Sequence, residues 1–441
     1  MNLNTYLVVK TGMMKKMVVV MALLGSAMSM RAADLALQDS GTARAMVFDE
    51  WFEDRTLRLD YVFAGDAEGQ QLYVDQLVQL PGWYGRRTRL EELPLAGNGQ
   101  ITVTDHRSQQ VVYRHSFSTL FQEWLATDEA KHTRRSFENV FLVPFPRDTV
   151  DVTVQLFDYH QQVMASMTHT VVPQDILISQ RAGRVAPYIT LQQAADTARC
   201  IHIAYVPEGY TEEELPTYLD HCRQAVEALF RHEPFKELRA CFNIIALLTP
   251  STDSGVSAPG EGRWLNTLLG SHFDTFYSQR YLTTLHLKRL HDVLAGTPYE
   301  HIIILANTQH YGGGGIYNSY NLSYTGGPMF EPVVVHEFGH SFGGLGDEYP
   351  YGETDPMYFA DTEPWEPNLT TLHDFNQKWQ NLIDEGRAGL VEGGGYLTKG
   401  VYRGQENCRM RTNEELDFCP VCQQALRRLI LFYTDSPNQK E

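Results

Sequence analysis

The segment "VVVHEFGHSFGGLGDEY" (333–349) constrains the fold most strongly, because it joins a helical pattern to an abrupt end. His336 and His340 are four residues apart, and residues i and i+4 of a helix lie on one face about a turn apart. Three glycines follow, each costing a helix roughly 1 kcal/mol relative to alanine. We therefore predict a helix that carries both imidazoles on one face, ends near Gly343 and turns back.

Two imidazoles on one helical face are typical of a metal site. A catalytic zinc ion has three protein ligands and an open position for water, and Glu337 lies beside this face as the candidate general base. A chance His-Glu-x-x-His match in a chain of this length has a probability of about 3%, and the alternative is a buried helix with two hydrogen-bonded histidines. The glycine turn that follows favours a metal site over a plain buried helix, because it can return a later side chain to the same ion.

Two stretches resemble a known family. "HEFGHSFGGLGDEY" resembles the extended motif of metzincin zinc peptidases and, more closely, that of the IgA peptidase family of secreted bacterial zinc metallopeptidases. "NCRMR" (407–411) and "FCPVC" (418–422) resemble that family's C-terminal signature, where a methionine turn underlies the metal. The resemblance covers about 200–430 and implies one catalytic Zn²⁺, with Met410 in the methionine turn. Without the family resemblance, Met410 would be interpreted as a residue of the hydrophobic core.

The third metal ligand departs from the metzincin pattern. That pattern places it six residues beyond the second histidine, where this chain has Gly346. We predict Asp347 as the third ligand, with Glu348 or a distant residue such as His373 as alternatives. Asp347 could instead cap a helix or form an ion pair.

Contacts to a substrate are predicted on both sides of the motif. In metzincin-like enzymes an edge strand lies along the substrate, and "QHYGGGGIYNSYNLSYT" (309–325) occupies that place. Its glycines, including Gly313 and Gly314, would let an extended peptide approach and pair through its main chain, although a flexible loop is an equal alternative. Tyr349 and Tyr402 are candidate donors to an oxyanion.

The fold class predicted for the whole chain is α+β or α/β, with a metzincin-like catalytic domain preceded by an all-β domain. Alternating apolar and polar residues between turn signals predict a sandwich-like domain over 34–175. Gly183 and Pro187 indicate a linker over 176–195. From 196 to 441, a strand at 200–206, a helix capped by Thr211 and Glu214 that runs to about Arg231, and a strand at 242–248 predict a βαβ unit. A helix over 280–294 and a strand at 301–307 follow.

The first 33 residues have the layout of an export signal. Lys15 and Lys16 precede an apolar run, 17–24, that is too short to span a bilayer, and small residues follow. The net charge is −18, and residues 1–29 contain three lysines and no acid, so removing them gives −18 − 3 = −21. This charge excludes nucleic acid and anionic membranes as expected partners. We expect an exported protein without an integral membrane segment after signal removal.

Six cysteines are present, and the last three, Cys408, Cys419 and Cys422, are close enough for one disulfide and a free thiol. A disulfide or plain buried thiols are favoured over a structural zinc site, because only Cys408 lies near the Cys-x-x-Cys pair.

The leading functional hypothesis is an exported zinc endopeptidase that acts on a protein substrate, with a host immunoglobulin such as IgA suggested by the family resemblance. Two alternatives remain: a surface binding or adhesion protein with a structural metal, and a zinc amidase that acts on cell-wall peptides. The presence of Glu337 favours an enzyme over a binding protein, because a binding protein does not need a general base at this position.

Overall fold

The structure, a computed structural model, describes residues 46–180, 185–351 and 357–434. The predicted export signal, residues 1–33, lies outside the described residues. The described residues belong to one compact unit. Among them, no helix combines the length and the apolar character that crossing a membrane requires.

Two four-stranded sheets form the first third of the described chain. One has the order β5-β1-β2-β8, and its strands are β1 (Phe52–Gly65), β2 (Gln70–Pro81), β5 (Arg135–Pro146) and β8 (Ser179–Gln180). The other has the order β4-β3-β6-β7, with β3 (Gly99–Asp105), β4 (Val111–Phe117), β6 (Val150–Phe157) and β7 (Val163–Val171). Burial alternates along β3 and β6, as period-two patterning predicts. The predicted β-rich N-terminal region is therefore confirmed.

The two sheets pack face to face through aromatic side chains. Phe117 on β4 and Phe141 on β5 have ring centroids 4.2 Å apart, and Tyr61 on β1 contacts His169 on β7. Two short helices, α1 (Phe48–Trp51) and α2 (Leu120–Leu125), flank the strands. Thr119 caps α2 by accepting a hydrogen bond from the Gln122 N–H.

A six-stranded sheet of order β13-β14-β12-β10-β11-β9 forms the centre of the remaining chain. Its strands are β9 (Tyr188–Gln192), β10 (Ile201–Glu208), β11 (Phe242–Leu247), β12 (His301–Ala306), β13 (Gly313–Ile316) and β14 (Tyr320–Tyr324). The four inner strands are parallel and the two edges antiparallel. Helix α3 (Leu215–Leu229) connects β10 to β11, and a capping box formed by Thr211 and Glu214 precedes it in the chain. The predicted mixed α/β class and its βαβ unit are confirmed.

One predicted helix is shorter than expected. Helix α4 begins at Leu287 and ends at Leu294, whereas the pattern predicted a start near residue 280. Two residues in the missing part form isolated β-bridges instead: Tyr281 bridges Gly313, and Thr283 bridges His272. Pairing of this segment with its neighbours in space overrides its local helical pattern.

The helix that carries the histidines, α5 (Phe330–Ser341), packs on the β13–β14 edge of the sheet, where Asn321 donates to the Val334 carbonyl at 2.9 Å. The C-terminal part adds α6 (Gln380–Asp384), α7 (Pro420–Thr434) and a small sheet of β15 (Leu369–Thr370), β16 (Val391–Gly394) and β17 (Leu397–Arg403).

The described residues of the predicted linker, 176–180 and 185–195, contain two short strands. β8 pairs with β2 and β9 pairs with β11, so the segment joins both sheet systems. One hydrophobic cluster also includes Phe141 from the β-rich region and Ile304 from the central sheet. The domain boundaries at 34–175 and 196–441 stay a prediction.

Candidate metal centre and active site

Helix α5 brings the two predicted histidine ligands together. His336 Nε2 and His340 Nε2 are 3.0 Å apart. Each Nδ1 faces a backbone carbonyl, that of Arg409 at 3.0 Å for His336 and that of Leu345 at 2.6 Å for His340. Donation from Nδ1–H to these carbonyls leaves the lone pair of each Nε2 directed toward the other ring. Two lone pairs facing each other repel unless a proton or a metal cation lies between them.

A glycine turn ends α5 and returns the chain to the histidines. Gly344 has φ +59°, a left-handed conformation that glycine adopts without strain. The Gly344 N–H donates to the His340 carbonyl at 2.9 Å, and the Leu345 N–H to the Gly339 carbonyl at 3.0 Å. This turn places the Leu345 carbonyl at His340 Nδ1 and carries Asp347 back to the helix.

The Asp347 carboxylate completes a cluster of three ligand atoms. Its Oδ1 is 3.2 Å from both His336 Nε2 and His340 Nε2, while its Oδ2 accepts a hydrogen bond from the Tyr396 hydroxyl. Burial opposes ionisation, but the two imidazoles hold the pKa of Asp347 well below its usual range. Oδ1 is buried and accepts no hydrogen bond from the described residues.

The geometry of this cluster fits a divalent metal ion. The three separations of 3.0–3.2 Å lie close to the edges, about 3.3 Å, of a tetrahedron whose ligand bonds are about 2.0 Å long. Two neutral imidazoles and a carboxylate are ligands that zinc commonly uses. His336, His340 and Asp347 are therefore the candidate metal ligands.

The other candidates for the third ligand lie elsewhere. His373 is exposed, and its backbone N–H donates to Glu363. Glu348 is completely buried in a separate cluster with three cysteines. Of the three candidates, the structure brings only Asp347 to the histidines.

Met410 lies directly beneath the two histidines. It is fully buried, and a Cβ added to Gly339, which lies between the histidines in sequence, would be 2.6 Å from Met410 Sδ. The turn that contains Met410 also supplies the Arg409 carbonyl to His336, and the Met410 carbonyl accepts from the Glu348 N–H at 2.9 Å. Met410 thus supports both segments that carry the ligand cluster.

Glycines of the edge strand β13 allow close contact with Glu337. A Cβ at Gly313 would lie 2.9 Å from Glu337 Oε1, and one at Gly315 would lie 2.3 Å from the Glu337 carbonyl. Gly314 points the opposite way, toward the Tyr281 ring. Removal from water raises the pKa of the half-buried Glu337 carboxyl, and the neighbouring histidines lower it.

Comparison with known families gives this geometry its context. The sequence matches the family described as IgA Peptidase M64 over residues 189–390 and 385–430, which is more than half of the chain. Residues 47–168 match the Peptidase M64 N-terminus family. The chain belongs to the peptidase M64 family. It is therefore a peptidase, whose substrates are proteins or peptides. The family resemblance that the sequence motifs indicated is confirmed. No curated protein matches it.

In this M64 peptidase, the β-rich region contributes a carboxyl group near the ligand cluster. The Tyr281 hydroxyl donates to Glu123 on α2. Burial raises the pKa of Glu123 to about 7, and the charges of His340, Glu337 and Asp347 also affect it. Nothing in the sequence indicated Glu123, because it lies more than two hundred residues before the histidine motif.

Of the two tyrosines predicted from the sequence, Tyr349 lies near the cluster, where burial and the adjacent Asp347 carboxylate raise the pKa of its hydroxyl. Tyr349 lies in an aromatic group with Tyr351 and Tyr396, at centroid distances of 4.8 and 5.5 Å. Tyr396, which donates to Asp347, was not predicted. Tyr402 is on β17 opposite Glu392, and no hydrogen bond or ring contact within the described chain joins it to the cluster. Backbone pairing places Tyr396 at the site: its N–H donates to the Tyr349 carbonyl at 3.1 Å, and the preceding Gly395 N–H donates to the Asp347 carbonyl at 2.7 Å.

Proposed function

We propose that this M64 peptidase is an exported, zinc-dependent endopeptidase with a metzincin-like catalytic centre. The observation that carries the proposal is the convergence of His336 Nε2, His340 Nε2 and Asp347 Oδ1 within 3.0–3.2 Å, next to Glu337. Zinc bound there supplies Lewis-acid chemistry, which makes a water molecule acidic enough to ionise near neutral pH.

Glu337 is the general base in this proposal. Its carboxylate accepts the proton of the attacking water and later donates it to the nitrogen of the leaving amine. A carboxyl group that both accepts and releases a proton works best when its pKa lies near the operating pH. The absence of a side chain at Gly313 leaves room for the Glu337 carboxylate beside the helix face that carries the ligands.

The edge strand β13 is the proposed binding element for the substrate backbone. It pairs with β14 on one side, and among the described residues its other side is bridged to Tyr281 at Gly313. The proposed contact is main-chain pairing of this strand with an extended peptide. An antiparallel edge strand beside the metal helix is also what supports the metzincin-like comparison.

Export and a host protein substrate belong to the same proposal. Export rests on the charged and apolar layout of residues 1–33. Immunoglobulin A is proposed as one substrate to examine because the family description contains its name. Recognition of one protein depends on surfaces that a family match does not describe.

The proposal is tested by metal analysis and hydrolysis assays on a Glu337→Gln variant. We expect it to bind as much zinc as the wild type while kcat/KM for peptides falls about 10²–10⁴-fold. Glu331→Gln is the matched control, because Glu331 lies on the same helix and pairs with Arg231 at the surface. Unchanged peptide hydrolysis by Glu337→Gln would contradict the proposal.

The choice of substrates separates the alternatives. Unfolded protein, immunoglobulin A and purified peptidoglycan are offered in parallel to the zinc-loaded enzyme. Cleavage of peptidoglycan alone would show that the enzyme is an amidase acting on cell-wall peptides and not an endopeptidase. Zinc binding without hydrolysis of any of them would favour the binding protein with a structural metal.

A further inference from the structure

A second cluster of potential metal ligands lies beside the first. The Sγ atoms of Cys408, Cys419 and Cys422 and a carboxylate oxygen of Glu348 are all within 4.8 Å of one another. All four side chains are buried, with exposed fractions of 3% or less. Every cysteine of the chain is free, so the disulfide considered from the sequence is not formed.

The spacing of the ligand atoms suits a tetrahedral ion. The Sγ atoms of Cys408 and Cys422 are 3.6 Å apart, and Cys422 Sγ is 3.2 Å from Glu348 Oε1. With zinc–sulfur bonds of about 2.3 Å and zinc–oxygen bonds of about 2.0 Å, tetrahedral geometry requires roughly 3.8 and 3.5 Å. A disulfide instead requires about 2.05 Å and would leave the third thiol unpaired.

The surroundings of the cluster favour charged ligands over plain thiols. The backbone N–H groups of Cys419 and Met410 point to Cys408 Sγ at 3.2 and 3.5 Å, and such donors stabilise a thiolate. Glu348 Oε2 is buried and accepts no hydrogen bond from the described residues. A buried carboxylate oxygen without a donor is costly unless a cation is its partner.

We propose that Cys408, Cys419, Cys422 and Glu348 form a second, structural zinc site. Three thiolates and one carboxylate give four protein ligands, which fill a tetrahedral coordination shell and leave no open position for water. Soft thiolates select zinc over magnesium or calcium, which prefer oxygen ligands. The site is therefore structural, whereas the cluster of three ligands around Asp347 keeps a position for water.

The second site stabilises the two segments that build the first. Glu348 directly follows the ligand Asp347, and Cys408 directly precedes Arg409, whose carbonyl orients His336. The Glu348 N–H also donates to the Met410 carbonyl. An ion bound to Glu348 and Cys408 links these segments at a point next to the catalytic ligands.

The first test counts zinc ions in a His336→Ala/His340→Ala double variant by elemental analysis of the purified chain. We expect two zinc ions per wild-type chain and one in the double variant. X-ray absorption at the zinc edge of that variant should show about three sulfur neighbours near 2.3 Å. No zinc in a folded double variant, or zinc without sulfur neighbours, would overturn the proposal.

The second test counts thiols, so it does not depend on whether a cysteine variant folds. The unfolded wild-type protein should show six reactive thiols when a chelator is present, because the proposed site leaves all six cysteines reduced. Four reactive thiols after unfolding would indicate a disulfide and overturn the site.

A cysteine variant tests whether Cys419 is a ligand of the second zinc ion. Cys419→Ser should lose one zinc ion and all zinc–sulfur signal, while the control Cys200→Ser, which changes a cysteine outside the cluster, should keep both ions. Retention of two zinc ions by folded Cys419→Ser would contradict the assignment. The proposal is independent of catalysis, because a failure of the catalytic site would remove only the ion without sulfur ligands.

Discussion

Asp347 and Glu348 are consecutive residues whose carboxylates lie in different ligand clusters. Asp347 Oδ1 contacts the two histidines, whereas Glu348 Oε1 accepts a hydrogen bond from Asn368 at 2.9 Å and lies beside Cys422. The two residues follow the glycine turn in a segment that is neither helix nor strand, and their side chains reach separate clusters. Isosteric amide substitutions at Asp347 and at Glu348 can therefore test the two clusters one at a time.

Asp347→Asn should weaken the catalytic metal site strongly, because an amide oxygen replaces a charged ligand. We expect zinc affinity at the histidine site to fall at least 100-fold and peptide hydrolysis to fall with it. Glu348→Gln should leave zinc at the histidine site. Competition with a chelator of known affinity measures both variants, and equal zinc loss at the histidine site in both would contradict the assignment.

Tyr396→Phe should weaken metal binding without removing a ligand. The Tyr396 hydroxyl donates to Asp347 Oδ2 and so orients the carboxylate, and loss of such a partner typically lowers metal affinity 10–100-fold. Tyr402→Phe is the control, since Tyr402 lies on β17 with no described contact to the cluster. Zinc titration of both proteins tests this, and identical affinities would show that the hydroxyl has no orienting role.

Gly339→Ala should destabilise the region under the histidines. The added methyl would be 2.6 Å from Met410 Sδ, and overpacking of a buried site costs about 1–3 kcal/mol. Denaturant unfolding measures the change in the free energy of unfolding, and the hydrolysis rate should fall as the histidines shift. Gly389→Ala, where nothing lies within 4 Å of an added Cβ, should leave both properties unchanged.

Acid should destabilise the fold because buried histidines stay neutral in it. Burial lowers the pKa of His301 to about 3 and that of His202 to about 4 from an ordinary value of 6.5. The unfolded chain binds a proton below pH 6.5 and the folded chain does not, so stability is present above pH 6.5 and is lost as the pH falls toward 3–4. For His301 alone the loss at pH 5 is about 2 kcal/mol.

The variant His301→Phe tests this origin of acid sensitivity. The His301 ring already packs against Phe342 and Tyr433, at centroid distances of 4.9 and 5.7 Å, so a phenyl ring suits the site. Its unfolding temperature should fall less between pH 7 and pH 5 than that of the wild type. The exposed control His132→Gln should follow the wild-type profile, and a parallel profile for His301→Phe would contradict the prediction.

The sequence alone determined the features that depend on local spacing. The i, i+4 relation of His336 and His340 placed two imidazoles on one face, the glycines ended the helix within two residues of the predicted position, and period-two alternation indicated the β-rich region. Each of these features follows from contacts between residues a few positions apart, which backbone geometry fixes before the chain packs.

Tertiary structure decided the features that join distant segments. Tyr396 reaches Asp347 across 49 residues, Cys422 reaches Glu348 across 74, and Tyr281 reaches Glu123 across 158. No periodicity marks such pairs, because the packing of separate strands and helices brings them together. The start of α4 shows the same effect, since pairing of Tyr281 with Gly313 replaced a helical turn that the local pattern favoured. The sequence thus specified the helix that carries the two histidines, while only the folded chain determined which side chains surround them.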